Sequence, residues 1–239
     1  MKMLIKRELN QMSLANNSKY PVLINGLFVI GVPIILWLTG PGLLSFYDTE
    51  GFYSNVSIVG LVIVTLTVTG NIQREAANQQ LLFLQTLPVS KSSIVNAKFI
   101  SVLIFACTVV AWLNVVVLIY SLITDDHLAE YGMLLGYFSS LILFVAAILL
   151  LKSIETGSRN IFMTGIISIF AWGVVFFIGE FAKREMGMDT GVSDLVIFIG
   201  LSLAIYGLCW QVALQRVKKK GFPLDKSHKN HTRSLEGGG

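Results

Sequence analysis

Residues 99–123 read FISVLIFACTVVAWLNVVVLIYSLI, and no charged side chain interrupts them from Phe99 to Ile123. A helix rising about 1.5 Å per residue over that length exceeds the roughly 30 Å hydrocarbon core of a bilayer. The apolar residues form one block and do not alternate, as a barrel strand of about 10 residues would. This stretch is therefore expected to be a spanning helix. Similar blocks recur at about 22–44, 56–72, 131–151, 161–182 and 195–215, and Glu180, near the end of the fifth, is the only charge inside them.

Composition agrees. Fifty-four per cent of the residues are hydrophobic and 13% charged, where a soluble domain carries about 25% charged residues. Mean hydropathy is +0.71. A soluble fold of this size has too little interior to hide so much apolar surface. The expected fold is an all-α integral membrane protein with six transmembrane helices across residues 21–215. Residues 1–20 precede the spans, a basic tail covers 216–233, and 234–239 (SLEGGG) read as a vector-derived extension. No cleavable signal peptide is expected, because a polar segment precedes a first apolar block too long for one.

The basic residues set the orientation. Lys2, Lys6, Arg7, Lys19, Arg74, Lys91, Lys98, Lys152, Arg159, Arg216, Lys218, Lys219, Lys220, Lys226, Lys229 and Arg233 fall on one side of a six-span layout with both termini inside. Of the 18 basic residues, only Lys183 and Arg184 fall on the other. The outer segments carry Asp48, Glu50, Asp125, Asp126, Glu130, Glu185, Asp189 and Asp194 instead. This is the positive-inside pattern. It also accounts for the basic pI without nucleic-acid binding, since the excess follows topology and forms no folded basic domain.

In the first twenty residues Leu4, Ile5, Leu9 and Met12 recur at helical spacing, with Lys2, Lys6, Arg7, Asn10 and Gln11 on other faces. That pattern predicts an amphipathic helix at the inner membrane interface. It serves either as an anchor alone or as an elbow that relays movement to the first span.

Residues 73–98, QREAANQQLLFLQTLPVSKSSIVNAK, form the longest inner segment between spans. The spacing predicts a short helix over 73–84. Pro88 ends any helix there and biases Leu87 toward extended backbone. Ser90 is placed to N-cap a new helix from Lys91 into the third span. Leu87-Pro88-Val89-Ser90-Lys91, with Ile94-Val95 and Ala97-Lys98 behind and Arg74-Glu75 and Leu81–Leu84 ahead, resembles the signature of ABC-2 type transporter permeases between spans two and three. The family's lead-in has a glycine that Asn78-Gln79-Gln80 does not supply.

The resemblance implies a bacterial plasma-membrane permease with a coupling helix in this segment, so that Arg74, Glu75, Leu84, Leu87, Pro88, Ser90 and Lys91 would couple the chain to a separate nucleotide-binding ATPase. It also implies a second permease subunit, identical or paralogous. ATP and Mg would be bound by the partner, since this chain has no cofactor site of its own and no P-loop: Gly221 with Lys226-Ser227 follows no strand and lacks the glycine before the lysine. The chain is not expected to be an enzyme.

Polar residues inside the spans have two readings. Hydrogen bonding and close packing between helices explain most of them. Alternatively Thr65, Thr67, Asn71 and Asn114 line a pathway, and Glu180, followed by Lys183 and Arg184 at i+3 and i+4, forms an outer gate. No acid or base lies deep in a span, which argues against ion coupling and against an intramembrane enzyme. Cys107 and Cys209 read as small apolar filler, the four tryptophans as packing, and His228 and His231 lack the supporting ligands of a metal site. The expected cargo is amphipathic or hydrophobic: a peptide, a lipid or a drug-like molecule. The competing reading is a non-transporting membrane protein that sequesters a toxic peptide for immunity.

Overall fold

With no water in the hydrocarbon region, backbone amides must be satisfied within their own segment, and long helices achieve this. The computed structural model describes residues 1–12, 31, 34, 49–77, 89–124, 128–156, 161–186 and 192–222. Among these residues the chain forms six helices: α1 Lys2–Met12, α2 Thr49–Ala77, α3 Lys91–Thr124, α4 Leu128–Thr156, α5 Ile161–Met186 and α6 Val192–Lys220. Four of them, α2, α3, α4 and α6, are long and apolar enough to cross a membrane, and α5 carries a shorter apolar stretch, Met163–Val174. The first expected span, 22–44, lies outside the described residues except at positions 31 and 34, and so does the tail beyond Phe222.

Each of the five helices α2–α6 overruns the apolar block that predicts it. α3 starts eight residues before Phe99, and its 34 residues reach about 51 Å. α2 continues past Ile72 through Gln73, Arg74 and Glu75 to Ala77. The first residues of the helix expected over 73–84, Gln73 to Ala77, thus continue α2 without a break, and 78–84 lie outside the described residues. No glycine or proline interrupts that turn, and Glu75 is held in the interior instead of being released to solvent.

Periodic apolar faces build the bundle. On α6, Phe198, Ser202, Tyr206, Cys209, Ala213 and Val217 are buried at spacings of three or four, while Ile197, Leu201, Leu208 and Val212 are exposed. On α3, Val95, Phe99, Val102, Ala106, Val109, Leu113 and Val117 turn inward, and Ile104, Val115, Leu118, Ile119 and Leu122 turn outward. Large aliphatic side chains on an outer surface suit lipid and not water.

α4 is the central helix and packs against α2, α3, α5 and α6. Its Ala146 and Ala147 are fully buried and let neighbouring backbones approach closely. Gly60 of α2 serves the same end, because a Cβ there would sit 2.1 Å from Leu113 Cδ1 and 3.6 Å from Ile142 Cδ1.

Hydroxyls within the spans mostly bond back to their own helix, as in Thr108 to the Ile104 carbonyl and Ser168 to the Thr164 carbonyl. Trp172 of α5 meets Phe144 of α4 and Phe198 of α6 with ring centroids 5.0 and 6.0 Å apart.

Candidate functional site

The first turn of α3 is set locally. Ser90 Oγ accepts a hydrogen bond from the Ser93 amide at 3.2 Å, and the Ser90 carbonyl accepts from the Ser93 and Ile94 amides. Ser90 is therefore the N-cap of α3. Val89 before it packs partly buried against the core, whereas Ser90 and Lys91 are exposed.

Two turns later Lys98 is buried, with 5% of its surface exposed. Its ammonium contacts the carboxylate of Glu75 at the end of α2 and lies 3.4 Å from Glu8 Oε2 on α1. Glu75 and Glu8 are as inaccessible, at 4% and 1% exposure. Arg7, half-buried, closes the set with its Nη2 at 3.1 Å from Glu8 Oε1. Three stretches far apart in the chain thus bring two carboxylates, one ammonium and one guanidinium into a single buried cluster.

A cavity with room for about one water molecule opens beside it, lined in part by Asn71 of α2 and Ser153 of α4. Burying an unpaired charge is very unfavourable, so each member holds its place only because the others do.

The opposite face of the same α3 turns grips α6. Tyr206 donates its phenolic hydrogen to the Phe99 carbonyl at 2.6 Å, and Trp210 Nε1 donates to Asn96 Oδ1 at 2.8 Å. The Phe99 ring stacks on Trp210 with an interplanar angle of 7° and meets Tyr206 edge-on at 5.6 Å. Trp210 is thus more than packing. Further along the same end of the bundle, Glu155 of α4 pairs with Arg216 of α6 and lies 3.7 Å from Lys152.

The expected site residues divide as follows. Arg74, Ser90 and Lys91 are exposed around the ends of segment 78–88, while Glu75 turns inward to Lys98. Leu84, Leu87 and Pro88 lie outside the described residues, as does the side chain of Glu180. Thr65 and Thr67 are half-buried, and their hydroxyls have no partner among the described residues. Thr65 lies at the crossing of α2 and α5, its Cγ2 3.5 Å from where a Cβ of Gly165 would sit. Asn71 is buried at the charge cluster, and Asn114 is exposed with its amide donating to the Val110 carbonyl at 2.7 Å.

Sequence reasoning passed over Glu8 and gave Lys98 no role of its own. Glu8 had a legible mark: it lies four residues after Leu4 and four before Met12, so it is a carboxylate on the apolar face of α1. Lys98 directly precedes the apolar block at Phe99, where a lysine must snorkel or find a carboxylate.

The family model described as ABC-2 family transporter protein matches residues 23–218. No curated protein and no solved structure matches the chain.

Proposed function

The chain belongs to the ABC-2 family of transporter membrane proteins, and from that premise we propose that it is the permease subunit of an ATP-driven exporter. It pairs with a second permease, identical or paralogous, in a bacterial plasma membrane with both termini cytoplasmic. A separate nucleotide-binding ATPase, which binds ATP and Mg, docks on segment 78–88 and on the exposed Arg74, Ser90 and Lys91 beside it. Leu84, Leu87 and Pro88 supply the apolar part of that contact. The cargo is amphipathic or hydrophobic, of the peptide, lipid or drug-like class. It passes a dimer cavity to which Thr65 and Thr67 offer hydroxyls that have no partner among the described residues and Asn71 and Asn114 add amides, with Glu180 at the outer exit.

The observation that carries this reading is the Glu75–Lys98 ion pair. It ties the end of α2 to the start of α3, so a push on the segment between them acts on both helices at once. A contact surface without mechanical duty has no need of a buried ion pair at its base, because apolar residues of similar volume would hold the helices at least as well.

Co-expression with candidate ATPases and affinity capture tests the proposal. The unsubstituted chain is expected to retain its ATPase, and the Leu87→Asp, Pro88→Ala double variant to lose it while keeping its melting temperature. Undiminished capture by the double variant refutes the coupling assignment.

A further inference from the structure

We infer that the basic end of α6, together with Lys152 of α4, binds the phosphodiester headgroup of an anionic phospholipid whose acyl chains lie along the exposed stripe of α6. This goes beyond the exporter reading and does not depend on it.

The stripe consists of Ile197, Leu201, Leu208 and Val212, all exposed, and such a surface suits acyl chains. Lys219 follows Leu208 by eleven residues, about three turns, so it stands at the end of the same stripe. The uncharged run from Leu195 to Leu214 spans about 30 Å, the thickness of the hydrocarbon core. Arg216 then lies about 3 Å beyond that run and Lys219 about 8 Å, which is headgroup depth.

The charge at this depth is arranged between two helices. Glu155 of α4 pairs with Arg216 and lies 3.7 Å from Lys152, so one acid is shared by two bases and the trio keeps a positive charge. The side chains of Lys152 and Arg216 remain 42% and 46% exposed, so an anion can reach both. Lys219, exposed, adds a further charge on the lipid side of the seam. A phosphodiester carries the complementary charge and acceptors for these donors.

The last turn of α6 is also held in place. Gly221 takes a φ of +75°, and its amide donates to the Val217 carbonyl at 3.0 Å, a left-handed cap that ends the helix. Phe222 is then buried in the core, so the chain turns inward at this point and does not cover the stripe. Because Lys219 stands in line with the lipid-facing side chains, a lipid is favoured over the acidic surface of a protein partner.

The test equilibrates the full chain with equal amounts of phosphatidylglycerol and phosphatidylcholine and counts the retained lipids by native mass spectrometry. The native chain is expected to prefer phosphatidylglycerol. Lys219→Gln should lower that preference about five-fold, the effect of one basic side chain near an anionic surface. Lys218→Gln removes the same charge about 100° around the helix and should change the preference by less than about two-fold. A phosphatidylglycerol with a photoreactive headgroup should crosslink to the peptides that carry Lys152 and Lys219.

Equal losses in the two variants reduce the effect to a diffuse field and overturn the inference, as does a native chain without preference. Displacement of the lipid by millimolar inorganic phosphate makes the site one for a free anion and also overturns it. Full lipid preference in Lys219→Gln together with lost capture of the ATPase assigns the lysines to that partner and overturns it too. If Lys219→Gln fails to fold, the native preference and the crosslinks decide.

Discussion

Replacing Lys98 by methionine keeps the length of the side chain and removes its charge. Glu8 and Glu75 then face one another across the cavity, each almost inaccessible, with only the half-buried Arg7 guanidinium left to Glu8. At 3.4 Å and an effective dielectric constant of about 20, the lost Lys98–Glu8 attraction alone is on the order of 5 kcal/mol. The ammonium's own desolvation is relieved by the change, which offsets part of the loss. The net cost expected for breaking a buried pair on one side is about 3–5 kcal/mol. A shift of roughly 10 °C follows for a chain of this size.

The assay is thermal unfolding in detergent, followed by the loss of the monodisperse size-exclusion peak. Glu75→Gln should cost less, on the order of 1–3 kcal/mol, because Glu8 still balances Lys98 and the amide still accepts a hydrogen bond. The triple replacement Glu8→Gln, Glu75→Gln, Lys98→Met leaves only the half-buried Arg7 guanidinium charged, which can reach solvent, so it should recover most of the stability lost by Lys98→Met. Melting of Lys98→Met within about 1 kcal/mol of the native chain refutes the claim that this cluster is a mutually dependent ion set.

Two further substitutions probe the packing that holds the cluster in register. Gly60→Ala places a Cβ 2.1 Å from Leu113 Cδ1, so Leu113 must move and the bundle should lose about 1–3 kcal/mol in the same thermal assay, with partial recovery when Leu113→Ala is added. Trp210→Phe removes the donor to Asn96 while keeping a ring to stack on Phe99 and should cost about 1–2 kcal/mol, and a double-mutant cycle with Asn96→Ala should show that the two losses do not add.

The long helices were legible because the bilayer imposes a length and forbids charge, and the apolar blocks from Val56, Phe99, Tyr131, Ile161 and Leu195 each lie within an observed helix. Their ends were not, because hydropathy stops at the first charged residue while the backbone does not. α2 runs on through Arg74 and Glu75, and α3 begins at Lys91, seven residues before its lysine is buried. The N-cap at Ser90 was readable from local chemistry alone, since a capping oxygen needs only its own next turn. The charge cluster was not, because it joins residues 8, 75 and 98, and nothing in a single sequence says that these meet. What the sequence did carry was each member's anomaly taken singly: a carboxylate on an apolar face, and a lysine at the threshold of an uncharged block.

The first three turns of α3 are best understood as a junction with two unlike faces. Lys98 lies about 200° around the helix from Asn96, so the charged contacts to α1 and α2 and the aromatic clasp on α6 cannot be served by one side of the turn. The two grips respond differently to force. Phe99, Tyr206 and Trp210 hold by ring contact and by hydrogen bonds of fixed direction, one to a backbone carbonyl and one to a side-chain amide, so sliding of α3 against α6 breaks several interactions at once. On the other face the ammonium is held by two carboxylates, Glu75 and Glu8, through charge attraction that depends little on direction. α3 is therefore held stiffly to α6 and more compliantly to α2, the helix that carries Thr65 and Thr67 on the half-buried part of its surface.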